Sequence, residues 1–235
     1  MMMRRLILAL MTLGCCSSAG VLAAADLPYG PTHVFAAFRN GERIGTHTLT
    51  FQQNGDKRIV TTSIDFAVKA LGLTMYRYMH RGQEVWSGNT FESISTQTDD
   101  NGTKYAVKAR QEAGGVSVVR DGGGAPKMSA NDVGFQQGSV KQETLPASTM
   151  PSTHWNLNQV KQSAMLNSQN GALARIQITA KGRETIKTAN GTLEATRYSY
   201  SGDVLMDQWF DDRGRWVKAS FKASDGSTIE YILQE

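Results

Sequence analysis

Apolar and polar positions alternate with a period of two along most of this chain, the pattern of strands with one buried and one wet face. The cleanest run is Val60, Thr62, Ile64, Phe66 and Val68, set against Thr61, Ser63, Asp65 and Lys69. Similar patterning predicts strands at about 32–39, with Val34, Ala36 and Phe38 aligned, and at 43–52, with Gly45, His47, Leu49 and Phe51 aligned. Further strands are predicted at 74–86, 90–98, 104–111, 116–120, 173–179, 184–188, 193–200 and 205–211. The closing stretch, 209–233, reads as three short strands. Its Val217, Ala219, Phe221 and Ala223 alternate with Lys218, Ser220 and Lys222.

The turns between these runs carry their own signal. Asn-Gly occurs at 40–41, 54–55, 101–102, 170–171 and 190–191, and Asp-Gly at 121–122 and 225–226. Such pairs tolerate the positive φ angles that tight hairpins demand. Lys181-Gly182 is read as a further turn. From 121 to about 150 the alternation stops in a stretch rich in Gly, Ser, Gln and Asn. Ser152-Thr153 then offers a hydroxyl cap for one short helix, about 154–162.

These elements predict an all-β chain: a single antiparallel domain, 26–235, of about a dozen strands with one short helix. A sheet of that size must curl, because twist accumulates and open edges invite aggregation. The expected architecture is one large curved sheet or incomplete β-barrel. A two-sheet β-sandwich is the alternative.

The N-terminus changes the picture of where this domain works. A basic start with Arg4 and Arg5 precedes an apolar run at 6–13, and small residues lead to Ala23-Ala24-Ala25. Residues 1–25 read as a secretory signal peptide cleaved between Ala25 and Asp26. The apolar run is far shorter than the ~20 residues of a spanning helix. The alternative is a lipoprotein anchored through Cys15 or Cys16, although Thr12-Leu13-Gly14 is a poor lipobox. Either way the chain is expected in the periplasm or secreted, with no transmembrane segment after processing.

Both cysteines lie inside the signal, so the mature chain is expected to lack disulfides, thiol nucleophiles and thiolate metal ligands. Residues 1–25 carry Arg4 and Arg5 and no acidic residue. Their removal leaves 23 basic and 21 acidic side chains, a formal excess of +2. That balance, without a basic run, argues against nucleic acid as a partner. No cofactor is expected. The histidines His33, His47, His80 and His154 show no helical metal-ligand spacing. No Gly-x-Ser-x-Gly occurs, and Asp211-Asp212 reads as a polar turn.

Several of these residues carry a likeness. Gly41-Glu42-Arg43-Ile44-Gly45-Thr46-His47, Ser152-Thr153-His154-Trp155, Trp209-Phe210-Asp211, Gly214-Arg215-Trp216-Val217 and Asp225-Gly226-Ser227 resemble the motifs of DUF6134, a family of exported bacterial proteins of unknown function. The likeness covers about 32–234 and implies no catalytic residues. In overall pattern the chain is also similar to the DUF3108 family and to periplasmic lipoprotein carriers of the LolA type, whose curved sheets wrap an apolar interior.

The expected function is a binding or carrier module for an apolar or amphipathic ligand, with a lipid or other hydrophobic small molecule as partner. Phe66, Val68, Tyr76, Trp155 and Trp209 are the candidate lining residues, and the irregular 121–149 segment is a candidate lid. An envelope interaction module, meeting another protein, is the first alternative. A hydrolase is the second, which would require His47 or His80 hydrogen-bonded to a carboxylate in a cleft.

Overall fold

The computed structural model describes residues 28–122 and 140–234. The expected signal and Ala25–Asp26 cleavage site, Cys15 and Cys16 lie outside the described residues, as does most of the candidate lid. Fifteen strands are described: β1 (Thr32–Arg39), β2 (Glu42–Asn54), β3 (Lys57–Ala70), β4 (Leu73–Ser87), β5 (Thr90–Asp100), β6 (Thr103–Glu112), β7 (Gly115–Gly122), β8 (Lys141–Leu145), β9 (Met150–Pro151), β10 (Ala164–Leu166), β11 (Leu173–Thr188), β12 (Gly191–Gly202), β13 (Met206–Asp211), β14 (Trp216–Lys222) and β15 (Thr228–Leu233).

All fifteen join one sheet, in the order β8-β7-β6-β5-β4-β3-β2-β1-β15-β14-β13-β12-β11-β10-β9. The chain runs outward as a meander from β1 to β8, then re-enters at β9 and meanders back to pair β15 with β1. Pairing is antiparallel throughout except between β9 and β10. The two outermost strands, β8 and β9, have five and two residues. Short edges limit the open backbone available to another chain. The described residues contain no helix long and apolar enough to cross a membrane.

The curvature can be read from one cross-strand row. Register aligns Ala219, Tyr231, Ala37, Gly45, Phe66 and Tyr78 across six neighbouring strands. Tyr231 on β15 and Phe66 on β3 have two strands between them, ~14 Å of flat sheet. Their ring centroids are nevertheless 5.8 Å apart. The wall bends and the two rings lean over Ala37 and Gly45, whose small size leaves the room. At Gly45 the backbones approach so closely that a Cβ would lie 1.9 Å from the Asp65 carbonyl oxygen.

One end of the concave face is a dry core. Trp86, Trp155, Trp216, Phe35 and Phe210 are all less than 2 % exposed or at that limit. Each tryptophan removes about 200 Å² from water, on the order of 5 kcal/mol as an upper bound. Trp155 comes from the segment between β9 and β11, which crosses the inside of the wall. Its ring meets Trp86 edge-on at 5.3 Å and Phe51 at 5.7 Å. Tyr29 rivets this segment to the wall: its hydroxyl donates to the Trp155 carbonyl at 2.6 Å and accepts the Trp216 N–H at 2.7 Å.

Several local expectations are revised. The helix is a 3₁₀ turn, Leu157–Lys161, capped by Asn156 rather than by Ser152 or Thr153. The Thr153 hydroxyl is used on Glu84, and His154 takes φ +71°, which no helix accommodates. Lys181-Gly182 is a bulge inside the continuous strand β11, where Gly182 at φ +99° lets the register shift without breaking the ladder. In β1 the concave face is His33, Phe35 and Ala37. Val34, Ala36 and Phe38 point the other way, although Ala36 is buried too.

Candidate functional site

The other end of the concave face is hollow. Period-2 alternation sends Thr62, Ile64, Phe66 and Val68 of β3 and Tyr76, Tyr78 and His80 of β4 inward. With Ile229 and Tyr231 of β15, Met206 of β13 and residues 152–169 of the crossing segment, they enclose a cavity of about 700 Å³. Small-molecule sites fall in the range of roughly 300–1,000 Å³.

The mouth is defined by lining residues that also meet solvent. Met75 is 61 % and Leu205 71 % exposed, and both line the cavity. The β3–β4 hairpin projects past them to a tip at Leu71, fully exposed at φ +51°, and Leu73. A leucine in the left-handed region is uncommon, because its Cβ crowds the backbone. Polar clasps hold the rim. Arg39 pairs with Asp225 at 2.6 Å. Asp100 accepts from the Tyr76 hydroxyl at 2.7 Å and the Gln169 amide at 3.2 Å, tying the crossing segment to β4.

The deep end is polar and uncharged. A second register row brings His47 of β2, Ile64 of β3, His80 of β4 and Thr98 of β5 side by side. His80 Nδ1 lies 2.8 Å from the Thr98 hydroxyl. His154 joins them from the crossing segment, its Nδ1 3.0 Å from the Gln208 amide nitrogen. His47 and His154 have ring centroids 6.4 Å apart. His47 is 1 % exposed and neither of its ring nitrogens has a partner among the described residues.

Burial pushes all three imidazoles toward their neutral forms. His80 falls to about 4, with nearby Arg81 adding to the effect. His154 falls to about 4 through burial and then His80, while its bond to Gln208 opposes the shift. His47 falls well below the ordinary range, mainly by burial and then through His154, His80 and His33. Among the described residues, neither His47 nor His80 bonds a carboxylate, the arrangement a hydrolase of the expected type would need. Among the described residues no group of three or more His, Cys, Asp or Glu is placed to hold a metal ion.

Glu84 is the acidic residue of the dry core. Its carboxylate accepts from Trp86 Nε1 at 2.9 Å, Thr153 Oγ1 at 3.1 Å and Trp155 Nε1 at 3.2 Å. Burial raises its pKa to about 7 against the lowering effect of these three donors. Its job here is structural: it fastens the crossing segment to β4.

Of the candidate lining residues, Phe66, Val68 and Tyr76 are on the cavity wall together. Trp155 packs in the dry core on Glu84. Trp209 lies on the convex face, because its neighbour Gln208 points inward and successive strand residues alternate. There it donates to Glu184, with Arg197 and Lys218 stacked over its ring at 5.4 and 5.0 Å. The residues missed were Tyr231, Tyr29, Glu84 and Gln208. A signal for Glu84 was present: it shares the alternation of Tyr78, His80 and Trp86, so an acid stands on a dry face.

Fold and hollow together define a β-barrel-like protein with an internal cavity. The chain belongs to the DUF6134 family, a domain of unknown function, which matches residues 35–234. A similar solved structure is the beta-barrel-like protein of domain of unknown function DUF1849 from Brucella abortus. The similarity has a TM-score of 0.57 at 6 % identity and covers 87 % of this chain and 95 % of that one. At this identity the likeness concerns the fold alone. No curated protein matches.

Proposed function

We propose that this protein is an exported binding or carrier module that holds an amphipathic, largely apolar ligand in the cavity of its curved sheet. The single observation that carries this reading is the cavity of about 700 Å³, walled by Ile64, Phe66, Val68, Tyr78 and Tyr231 and open at a mouth rimmed by Met75 and Leu205. A wall of this composition favours an aliphatic or ring-bearing guest. At roughly 0.8 kcal/mol per buried CH₂, a twelve-carbon chain gains on the order of 10 kcal/mol before association costs. With association costing at least about 4 kcal/mol, a surplus of about 6 kcal/mol or less corresponds to dissociation constants of tens of micromolar or weaker.

The hairpin tip supports passage of such a guest. Leu71 and Leu73 stay exposed beside the mouth, and Leu71 does so in a disfavoured backbone region. Strain of this kind persists where surrounding structure or function maintains it. Export is supported by the N-terminal basic, apolar and small-residue sequence and by the confinement of cysteine to positions 15 and 16. The alternative of an envelope interaction surface finds no exposed aromatic patch: the large exposed apolar side chains described are Leu, Val and Met.

Titration with N-phenyl-1-naphthylamine tests the reading. A saturable rise in fluorescence with one dye per chain, reversed by dodecan-1-ol, is the expected result. No enhancement, or a linear unsaturable one, would remove the proposal.

A further inference from the structure

We infer that the deep end of the cavity receives the uncharged hydroxyl terminus of the ligand, with His47 as its hydrogen-bonding partner. The inference rests on the binding reading above and names the class of ligand: a long-chain or ring-bearing alcohol, apolar along its body and hydroxylated at the end that enters first.

His47 is the starting observation. Buried polar groups in folded proteins are almost always paired, and an orphaned one marks a place where something else supplies the bond. His47 lines the cavity, is 1 % exposed, and has two ring nitrogens without a partner among the described residues. Its ring is held in place by aromatic neighbours: Trp216 at 5.2 Å, Tyr231 at 5.3 Å and Phe35 at 6.0 Å. Two more orphaned polar atoms stand nearby, Trp216 Nε1 and Gln208 Oε1. His80 and His154 differ, because Thr98 and Gln208 respectively engage their Nδ1 atoms and orient the rings. The deep end is thus a preset group of hydrogen-bonding positions in which His47, among the described residues, has both ring nitrogens unserved.

Charge decides between possible headgroups. The imidazoles at this end are neutral at neutral pH, so a carboxylate or phosphate would be desolvated there without a cation to meet it. Arg39, the cation among the lining residues, sits at the mouth and is engaged by Asp225 and Ser227. An ammonium would fare no better. The lining carboxylates, Asp100 and Asp225, are also at the mouth, bonded to Tyr76, Gln169, Arg39 and Ser227. A neutral imidazole offers one donor and one acceptor, and a hydroxyl can answer either.

The experiment compares three probes of equal chain length, dodecan-1-ol, dodecanoate and dodecane, each displacing the fluorescent dye at pH 7.5. Three full-length proteins are used: wild type, His47→Leu and His47→Gln. Wild type is expected to prefer the alcohol over the alkane and over the carboxylate by about tenfold. His47→Leu is expected to lose the preference for alcohol over alkane while still binding dye and alkane. His47→Gln, which keeps a neutral donor and acceptor, is expected to restore it in part. Equal affinities for the three probes in wild type, or a preference unchanged in His47→Leu, would overturn the assignment and leave the apolar-cavity reading standing. Failure of all three probes and the dye would overturn both. If His47→Leu does not fold, the decision falls to His47→Gln beside wild type: a preference for dodecanoate in either protein overturns the inference.

Discussion

Acidification from pH 7 to pH 4 is expected to remove on the order of 5 kcal/mol from the stability of this protein, a large part of the 5–15 kcal/mol typical of a domain. The cause is the deep end of the cavity. His80 has its pKa lowered from 6.5 to about 4 by burial. A depressed histidine pKa means that the unfolded chain takes up the proton first. Stability from the neutral ring is therefore complete above pH 6.5 and drains away as pH falls toward 4. A shift of this size corresponds to about 3 kcal/mol for His80. His154, shifted in the same direction but partly exposed to the cavity, contributes less, and His47 adds in the same sense.

Glu84 works in the opposite direction. Its raised pKa, about 7, makes the native state hold a proton that the unfolded chain has lost, so acidification through the window from 7 to 4.5 favours folding. That term offsets about one histidine and leaves the others. Urea unfolding followed by tryptophan fluorescence at pH 7, 5.5 and 4 measures the balance. A Glu84→Gln variant should lose more stability over the same interval, because the opposing term is gone. Stability that stays flat from pH 7 to 5 would mean that the three imidazoles are not held neutral in a buried site.

The Gly45→Val substitution is expected to cost about 4 kcal/mol or more and to prevent folding at 37 °C, for two reasons that act together. A Cβ at position 45 would lie 1.9 Å from the Asp65 carbonyl oxygen and 2.9 Å from the Phe66 Cα, both backbone atoms of the neighbouring strand. The β2–β3 ladder must open there to admit it. The branched side chain would also occupy the space over which Phe66 and Tyr231 meet, and that contact lies in the bend of the wall. Thermal unfolding compared with Thr46→Val, at a neighbouring β2 position, is the check. A Gly45→Val protein that melts within a few degrees of wild type would show that β2 and β3 are not so close. The glycine in the Gly41–His47 motif thereby acquires a physical reason, and so does the histidine two residues on, which shares its inward face.

How much of this was legible beforehand depended on the period. Alternation is local, so the concave face of β3, the wet face opposite and the hairpins at Asn40-Gly41 and Asn101-Gly102 could be read directly. Phe66, Val68 and Tyr76 followed from the same rule. What alternation cannot supply is phase across a bulge or the path of an irregular segment. The register shift opposite Trp209 and Phe210 falls on Val217 of β14 and lets Trp216 and Ala219, three positions apart, both serve the interior, whereas the sequence pattern aligned Val217 with Ala219. Trp155 belongs to a segment whose route across the inside of the wall is set by long-range contacts to Glu84, Trp86 and Tyr29. Likewise, β11 read as two strands because a bulge glycine and a turn glycine look alike without a partner strand. The three histidines stand 33 to 107 positions apart in sequence, and the fold alone brings them to one end of one cavity.

The most direct test of the central claim is native mass spectrometry of the protein isolated from the envelope fraction of its own cells. A chain beginning at Asp26, carrying one copy of a small apolar molecule that dissociates under collisional activation, is the result expected of an exported carrier with a filled cavity. A full-length chain beginning at Met1 in the cytosolic fraction, with no bound mass and no capacity to take up dodecan-1-ol, would contradict it.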